Sequence, residues 1–159
     1  MTKIYLLLLV FLSACSSSST PAEQSPPVQP YSVEESLPDS NWSGDGAGKY
    51  SDGTEKTFKI SISIKNNVVT TGTRSSDGYN STALDTYQYT AKGKSSWLDP
   101  NSNKIGECSC YSQSCVCSAT TGQLTMARHY QFSKIGLSIH EEGTLGPLSF
   151  EQNFQLKRQ

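Results

Sequence analysis

Four cysteines within ten residues form the densest group of reactive side chains in the sequence, CSCYSQSCVC from Cys108 to Cys117. If the middle of this stretch is a hairpin loop, Cys110 lies opposite Cys115. Cys108 then lies opposite Cys117. Directly opposed residues at non-hydrogen-bonded positions have Cα atoms about 4.5 Å apart, which suits a disulfide. Four thiolates can also hold zinc or copper, but a metal cage needs a tetrahedral arrangement that one hairpin face does not offer. The pattern favours two disulfides, with the metal cage as the alternative.

Arg128 and Glu141 are charged residues that fall on the otherwise apolar faces of two predicted strands. Arg128 continues the alternation of one apolar segment, and Glu141 continues that of the next. The apolar residues of the two faces are Leu124, Met126, Tyr130 and Phe132 in the first segment and Ile135, Leu137 and Ile139 in the second. With a turn centred on Lys134 and Ile135, Arg128 meets Glu141 inside the domain. Because a buried charge must be paired, the two form a structural salt bridge or anchor the polar group of a ligand.

A pocket built around this pair would take its walls from nearby aromatic and sulfur-containing side chains. The candidate ligand-binding residues are Arg128, Glu141, Met126, Tyr130, Phe150 and Phe154. Apolar walls with a few convergent polar groups are typical of sites for small molecules. The predicted ligand is therefore small and partly apolar.

Two histidines lie on the opposite faces of the same two segments. In the register that pairs Arg128 with Glu141, His129 falls directly across from His140. A cross-strand pair of imidazoles can bind a transition metal. Two solvent-exposed side chains are the simpler interpretation, and the sequence predicts no metal site here.

Familiar motifs of hydrolases, metalloproteases and nucleotide-binding enzymes are missing from the sequence. It contains no G-x-S-x-G, no H-E-x-x-H and no complete P-loop. We therefore expect no catalytic residue and no cofactor, and the chain is not predicted to be an enzyme. The formal net charge is −1 at pH 7, and without a basic block no nucleic-acid partner is predicted.

The elements that carry these residues are short β-strands. The segment TFKISISIK alternates apolar and polar residues from Phe58 to Lys65, which is typical of a half-buried strand. Asn66 and Asn67 follow as a hairpin turn, because asparagine tolerates a positive φ. No segment has the sustained 3.6-residue period of a helix. The predicted fold is an all-β antiparallel meander of about seven to nine strands closed as a small barrel, with a β-sandwich as the alternative.

Trp42 in the first strand and Arg158 in the last form a pattern found in one class of barrels. Gly44, Gly46 and Gly48 alternate after the tryptophan in NWSGDGAGKY, where a curved strand needs bends and close backbone approaches. The pair resembles the pattern of calycins, the lipocalins and their relatives, in which the tryptophan closes one barrel end and the arginine packs across it. The resemblance implies a calycin-like barrel. It departs from the lipocalin G-x-W, because a serine stands at residue 40 in place of the glycine.

The chain begins with a short apolar segment that ends in a cysteine. Lys3 precedes nine apolar residues, Ile4 to Leu12, which are too few to cross a bilayer as a helix. The segment ends in LSAC at Cys15, which resembles the lipobox of bacterial lipoproteins. The resemblance implies a signal peptide at residues 1–14 and a Cys15 that carries diacylglycerol and an N-acyl chain such as palmitate. Ser16 in place of an aspartate implies the outer membrane, or the cell membrane in a cell that has no outer one.

Residues 15–40 differ in composition from the rest of the chain. The stretch after Cys15 is rich in serine and proline and contains no lysine or arginine, which favours a disordered tether. Residues 41–159 remain as the β-barrel domain. We expect a lipid-anchored envelope protein, facing the periplasm or the cell surface, that acts as an accessory or interaction protein. The alternative is a calycin-like barrel that binds a small, partly apolar ligand, so the expected partners are the membrane and either an envelope protein or that ligand.

Overall fold

The described part of the chain folds into ten β-strands joined by short turns. The computed structural model describes residues 36–76 and 79–159, apart from the side chains of residues 79–84. The strands are β1 (Ser40–Tyr50), β2 (Glu55–Lys65), β3 (Val68–Ser76), β4 (Tyr79–Gln88), β5 (Lys92–Leu98), β6 (Lys104–Tyr111), β7 (Ser114–Thr121), β8 (Leu124–Phe132), β9 (Leu137–Leu145) and β10 (Leu148–Arg158). In the described ranges there is no helix long and apolar enough to span a membrane. The predicted signal peptide, Cys15 and most of the predicted tether lie outside the described residues.

The strands form a closed antiparallel barrel. Each strand pairs with the next along the chain, and β1 pairs with β10 to close the sheet. The predicted all-β barrel is confirmed, and the sandwich alternative is not formed. The structure has ten strands and not the predicted seven to nine. The prediction missed β5, because β5 lacks the alternation of apolar and polar residues that indicates a strand. Only Trp97 of its seven residues is buried, since Gly93 and Ser95 hold the other inward positions.

Alternating residues line the barrel interior as the sequence predicts. Phe58, Ile60, Ile62 and Ile64 of β2 are all buried, while Lys59 and Lys65 are exposed. The turn to β3 uses two asparagines with φ angles of 51° and 63° at residues 66 and 67. Such positive φ values match the right-handed twist of a two-residue hairpin. The local sequence therefore sets both the register and the inward face of this hairpin.

The glycines of β1 allow neighbouring strands to approach it closely. A Cβ atom on Gly46 would collide with the ring of Phe154, and one on Gly44 would collide with the carbonyl oxygen of Gln155. Between Trp42 and Tyr50 the inner face of β1 is therefore bare backbone, and β10 packs closely against it. This explains why glycine alternates here in place of large apolar residues.

The four cysteines form two disulfides with the predicted pairing. Cys108 bonds to Cys117 with Cα atoms 3.9 Å apart, and Cys110 bonds to Cys115 with Cα atoms 4.1 Å apart. All four side chains point into the barrel, and Cys108, Cys115 and Cys117 are completely buried. The bridges join β6 to β7 within the core. They are therefore part of the barrel wall.

The segment before β1 packs on one end of the barrel, which we call the terminal end. Leu37 is buried, and its N–H donates to the Asn67 side-chain oxygen at 2.7 Å. Leu37 is therefore packed against the barrel, three residues before β1 begins at Ser40. Trp42 lies directly opposite Arg158 in the pairing of β1 with β10. The Arg158 guanidinium donates to the Asp39 carbonyl at 3.1 Å, so it ties this segment to the last strand.

Candidate functional site

Arg128 of β8 lies at the centre of the barrel interior and is 2% exposed. It faces Glu141 of β9 in the strand register, and its Nε donates to Glu141 Oε1 at 2.5 Å. Its Nη1 donates to Asp85 Oδ2 of β4 at 2.8 Å. Burial by itself lowers the pKa of Arg128, but the Asp85 and Glu141 carboxylates raise that pKa well above its ordinary value. The predicted inward pair is confirmed, and the arginine keeps its charge.

Glu141 is shared between two cations. It is completely buried, and its Oε2 lies 2.9 Å from Nη1 of Arg74 on β3. This second contact is an ion pair whose alignment falls short of a hydrogen bond. Asp85, Arg128, Glu141 and Arg74 therefore alternate in sign and sum to zero formal charge. A paired row of this kind avoids the large cost of an isolated buried charge.

The row of charges continues through neutral groups towards one end of the barrel. Arg74 is the most exposed of the four, with 15% of its side chain open to solvent. Its Nη2 donates to the Oε1 of Gln152, and the Nε2 of Gln152 donates to the Tyr50 hydroxyl at 2.9 Å. Gly48 leaves room for this glutamine, because a Cβ atom there would lie 2.8 Å from its Cγ. A continuous polar path thus runs from the core to Tyr50 at the end of β1.

Aromatic rings enclose the charges. The Arg128 guanidinium lies 5.0 Å from the Trp97 ring centre, and the Arg74 guanidinium lies 4.9 Å from that of Phe58. Both contacts are in the range of cation–π attraction. Burial raises the pKa of Tyr130, which accepts a hydrogen bond from Arg128, to about 12. Within this set of aromatic residues, the Trp97 indole N–H is buried without a partner among the described residues.

The end of the barrel that holds Tyr50, which we call the mouth, contains an open recess of 980 Å³. Its inward positions combine large side chains with very small ones. They are Tyr50, Gly106, Ala119, Met126, Gly143 and Phe150. A Cβ atom on Gly106 would collide with the Ser118 carbonyl oxygen, and one on Gly143 with that of Thr125. Close strand packing therefore demands glycine at both positions, and the recess is left where their side chains are missing.

The structure divides the six predicted ligand-binding residues into two groups. Met126 and Phe150 line the mouth recess. Arg128, Glu141 and Phe154 are at most 2% exposed, as is Tyr130. These four form the packed floor beneath the recess and are not its walls. The alternation of apolar and polar residues correctly predicted that these four side chains point inward. It does not indicate how far along the barrel axis each side chain lies.

Several polar members of the network were not predicted, among them Asp85, Arg74 and Gln152. Asp85 does stand in step with Tyr87 and Tyr89, both buried, so alternation could have placed it inside. Arg74 follows a register shift between residues 71 and 73 of β3. A bulge of this kind moves later side chains to the other face, which hides the inward position of Arg74 from a simple period of two.

The two histidines lie on the outer surface as predicted. His129 pairs with His140 in the strand register, and their ring centres are 5.8 Å apart. The Nε2 atom of each lies 3.9 Å from a carboxylate oxygen of Glu142. Among the residues that the structure describes, no group of three or more histidine, cysteine or acidic side chains is arranged to hold a metal ion.

The turn between the histidine strands differs from the prediction in one residue. Ile135 was placed on the inner face with Leu137 and Ile139. It lies instead between β8 and β9 and is 89% exposed. The turn occupies residues 133–136, so the inward alternation of this segment begins only at Leu137.

Comparison with known protein families and with curated proteins finds no match to this sequence. A solved structure with a similar fold is that of the S-type phycobiliprotein lyase from Guillardia theta. The two share a TM-score of 0.58 and 10% sequence identity, over 80% of this chain and 90% of that chain. At this identity the similarity shows a shared barrel fold.

This comparison corrects one expectation from the sequence. The prediction that the chain is not an enzyme relied on missing motifs, and it is contradicted by a barrel of the same fold that carries the name of a lyase. Function in this fold depends on the site and not on the motifs of hydrolases or nucleotide-binding proteins. The chain shares its closed antiparallel barrel with the phycobiliprotein lyase of Guillardia theta.

Proposed function

We propose that this chain is a lipid-anchored envelope protein whose barrel binds a small, partly apolar ligand at the mouth. The observation that carries the binding role is the 980 Å³ recess. Pockets for small molecules usually measure about 300–1,000 Å³ and combine apolar walls with a few polar groups. Tyr50, Met126 and Phe150 supply such walls, and the polar path from Arg74 ends beside them.

The packed floor sets how deep a ligand can go. Trp97, Tyr130 and Phe154 fill the interior below the recess and are at most 1% exposed. The guanidinium groups of Arg74 and Arg128 lie against these rings. A ligand therefore occupies the mouth and remains partly accessible to solvent, while the charged core supports the walls from beneath.

The anchor is proposed from the sequence. LSAC at Cys15 resembles the lipobox, and two or three acyl chains hold a protein on a membrane where one chain holds it only marginally. An outer-membrane location follows from Ser16 under the same resemblance. The location defines which ligands the mouth can meet, namely those of the cell envelope.

A second candidate is an interaction protein whose outer surface binds another envelope protein. The filled lower interior favours this candidate, as do large apolar side chains on the outside. Ile135 is 89% exposed, Tyr111 71% and Leu145 55%. Tyr111 and Ile135 lie in or beside turns at the terminal end and Leu145 lies at the mouth end, whereas the recess is one continuous site, so it supports the ligand-binding role better.

Filling the recess tests the proposal. Ala119 points into it from β7 and is 7% exposed, while Val116 on the same strand points outward and is 38% exposed. Ala119→Phe should lower the affinity for the apolar dye N-phenylnaphthylamine by about tenfold or more, because the new ring occupies the ligand volume. Val116→Phe adds the same ring outside and should leave dye affinity unchanged.

Dye titration should be joined to native mass spectrometry of protein purified from its own envelope. A bound mass that is present in the wild type and absent in Ala119→Phe supports the proposal. Ala119→Leu provides a milder filling variant if the phenylalanine impairs folding. Wild-type dye affinity in both filled variants would show that the recess is not the binding site.

A further inference from the structure

The orientation of the Gln152 side chain is fixed by its neighbour Arg74. A guanidinium can only donate hydrogen bonds, so the Gln152 atom that faces Arg74 must be the oxygen. The structure has this arrangement, with Arg74 Nη2 donating to Gln152 Oε1. The amide nitrogen is then directed at Tyr50, and it donates to the Tyr50 hydroxyl at 2.9 Å.

This arrangement determines what the Tyr50 hydroxyl can do. Its oxygen accepts from Gln152 Nε2, so its own proton must be donated elsewhere. Gln152 cannot receive that proton, because its nitrogen is a donor and its oxygen is turned towards Arg74. Among the described residues the structure gives Tyr50 no acceptor for its hydroxyl proton. Tyr50 is half-buried and lines the mouth recess.

The ring of Tyr50 is held in place from two sides. Its centre lies 6.2 Å from that of Phe150, its partner across β1 and β10. The Lys56 ammonium lies 6.0 Å from the ring centre, where a cation is attracted to the aromatic face. The donor is therefore preorganised and does not need to be ordered by the ligand.

We propose that Tyr50 is the hydrogen-bond donor of the mouth recess and binds an acceptor oxygen of the ligand, such as a carbonyl. This rests on the proposed ligand-binding function and adds the chemistry of the ligand to it. The ligand has an apolar body that packs on Met126 and Phe150 and an oxygen at one edge that receives the Tyr50 proton. Arg74 and Gln152 are positioning residues, since they hold the phenol in its donating orientation.

A pair of dyes separates the hydrogen bond from apolar packing. Prodan is a naphthyl ketone whose emission shifts to longer wavelength when its carbonyl accepts a hydrogen bond, and N-phenylnaphthylamine has no acceptor oxygen. All measurements use the full chain with Cys15→Ser, so that no lipid or detergent competes for the dyes. Tyr50→Phe should weaken prodan binding about fivefold and shift the emission of bound prodan to shorter wavelength. The affinity for N-phenylnaphthylamine should stay unchanged.

Two further variants serve as controls. Tyr111→Phe removes a hydroxyl from a ring that is 71% exposed outside the recess, and it should change neither dye. Gln152→Glu keeps the Tyr50 ring but offers its hydroxyl a carboxylate, which accepts the proton. It should reproduce the selective loss of prodan, and it serves as the test if Tyr50→Phe fails to fold.

The outcomes separate this inference from the proposed function. If Ala119→Phe releases both dyes while Tyr50→Phe and Gln152→Glu leave prodan affinity and emission unchanged, the donor role of Tyr50 is wrong and the recess stands. Equal weakening of both dyes by Tyr50→Phe would show a role in shape and would also overturn the donor role. If the wild type binds neither dye, both the recess and the donor are rejected.

Discussion

Arg128 is a single residue on which two buried carboxylates depend. Replacing it with methionine leaves Asp85 without its cation and Glu141 with only the ion pair to Arg74. Breaking a buried ion pair by removing one partner typically costs about 3–5 kcal/mol. We expect Arg128→Met to lower the free energy of unfolding by about this amount, measured by urea denaturation at neutral pH.

Two double variants, each of which adds a second substitution to Arg128→Met, test the alternating arrangement of the four charges. Arg128→Met with Asp85→Leu removes a complete pair and leaves Glu141 with Arg74, so the double variant should be more stable than Arg128→Met alone. Arg128→Met with Glu141→Leu leaves both Asp85 and Arg74 unpaired and should recover less. If the two double variants were equally stable, the alternating row of four charges would be incorrect.

The sequence could predict one pair of this row and not the whole. Arg128 and Glu141 lie on consecutive strands joined by a short turn, so alternation and one turn position were enough to bring them together. Asp85 reaches Arg128 from across the barrel interior, and no local pattern encodes a contact through the core. Arg74 follows a bulge, which changes the face of the strand on which it lies. A glutamine such as Gln152 occurs at both buried and exposed positions, so its residue type does not indicate which of the two it takes. The mouth recess depends on glycines whose role appears only when the neighbouring backbone is in place.

At the scale of elements, the β6–β7 hairpin is fixed by its two disulfides. Thiol titration of denatured, unreduced protein should find none of the four cysteines at residues 108–117 free. Replacing Cys108 and Cys117 together by alanine should cost about 2 kcal/mol of stability, because the bridge restricts a short loop in the unfolded chain. The Cys110–Cys115 bridge closes a shorter loop and should contribute less. Four free thiols together with stoichiometric zinc or copper would favour the metal cage.

Strands with clear alternation were predictable, and β5 shows where such prediction ends. The β2–β3 hairpin has both an apolar period of two and an asparagine pair at its turn, so local and global preferences agree. In β5, Gly93 and Ser95 take the inward positions and Trp97 alone gives the apolar signal. Its place in the sheet is set by β4 and β6 on either side, a tertiary constraint that single-sequence patterns do not contain.

At the scale of the whole molecule, the proposed anchor can be tested by one substitution. Cys15→Ser removes the thiol that would carry the diacylglycerol, and we expect the chain to move from the membrane fraction to the soluble fraction. Cys108 and its three neighbours are held in disulfides, so they do not offer an alternative lipidation site in the folded barrel. A variant that still fractionates with membranes would place the anchor elsewhere or in a partner.

Both ends of the barrel chain meet on the side opposite the recess. Leu37 packs at the terminal end, and the backbone N–H of Gln159 donates to the carbonyl of Asn41 at 2.9 Å. The mouth is formed instead by the turns that follow β1, β5, β7 and β9. A fluorophore, an affinity tag or a surface attached at Gln159 should therefore leave the recess open to solution. For the same reason, immobilised protein should report ligand exchange at the mouth without hindrance from its support.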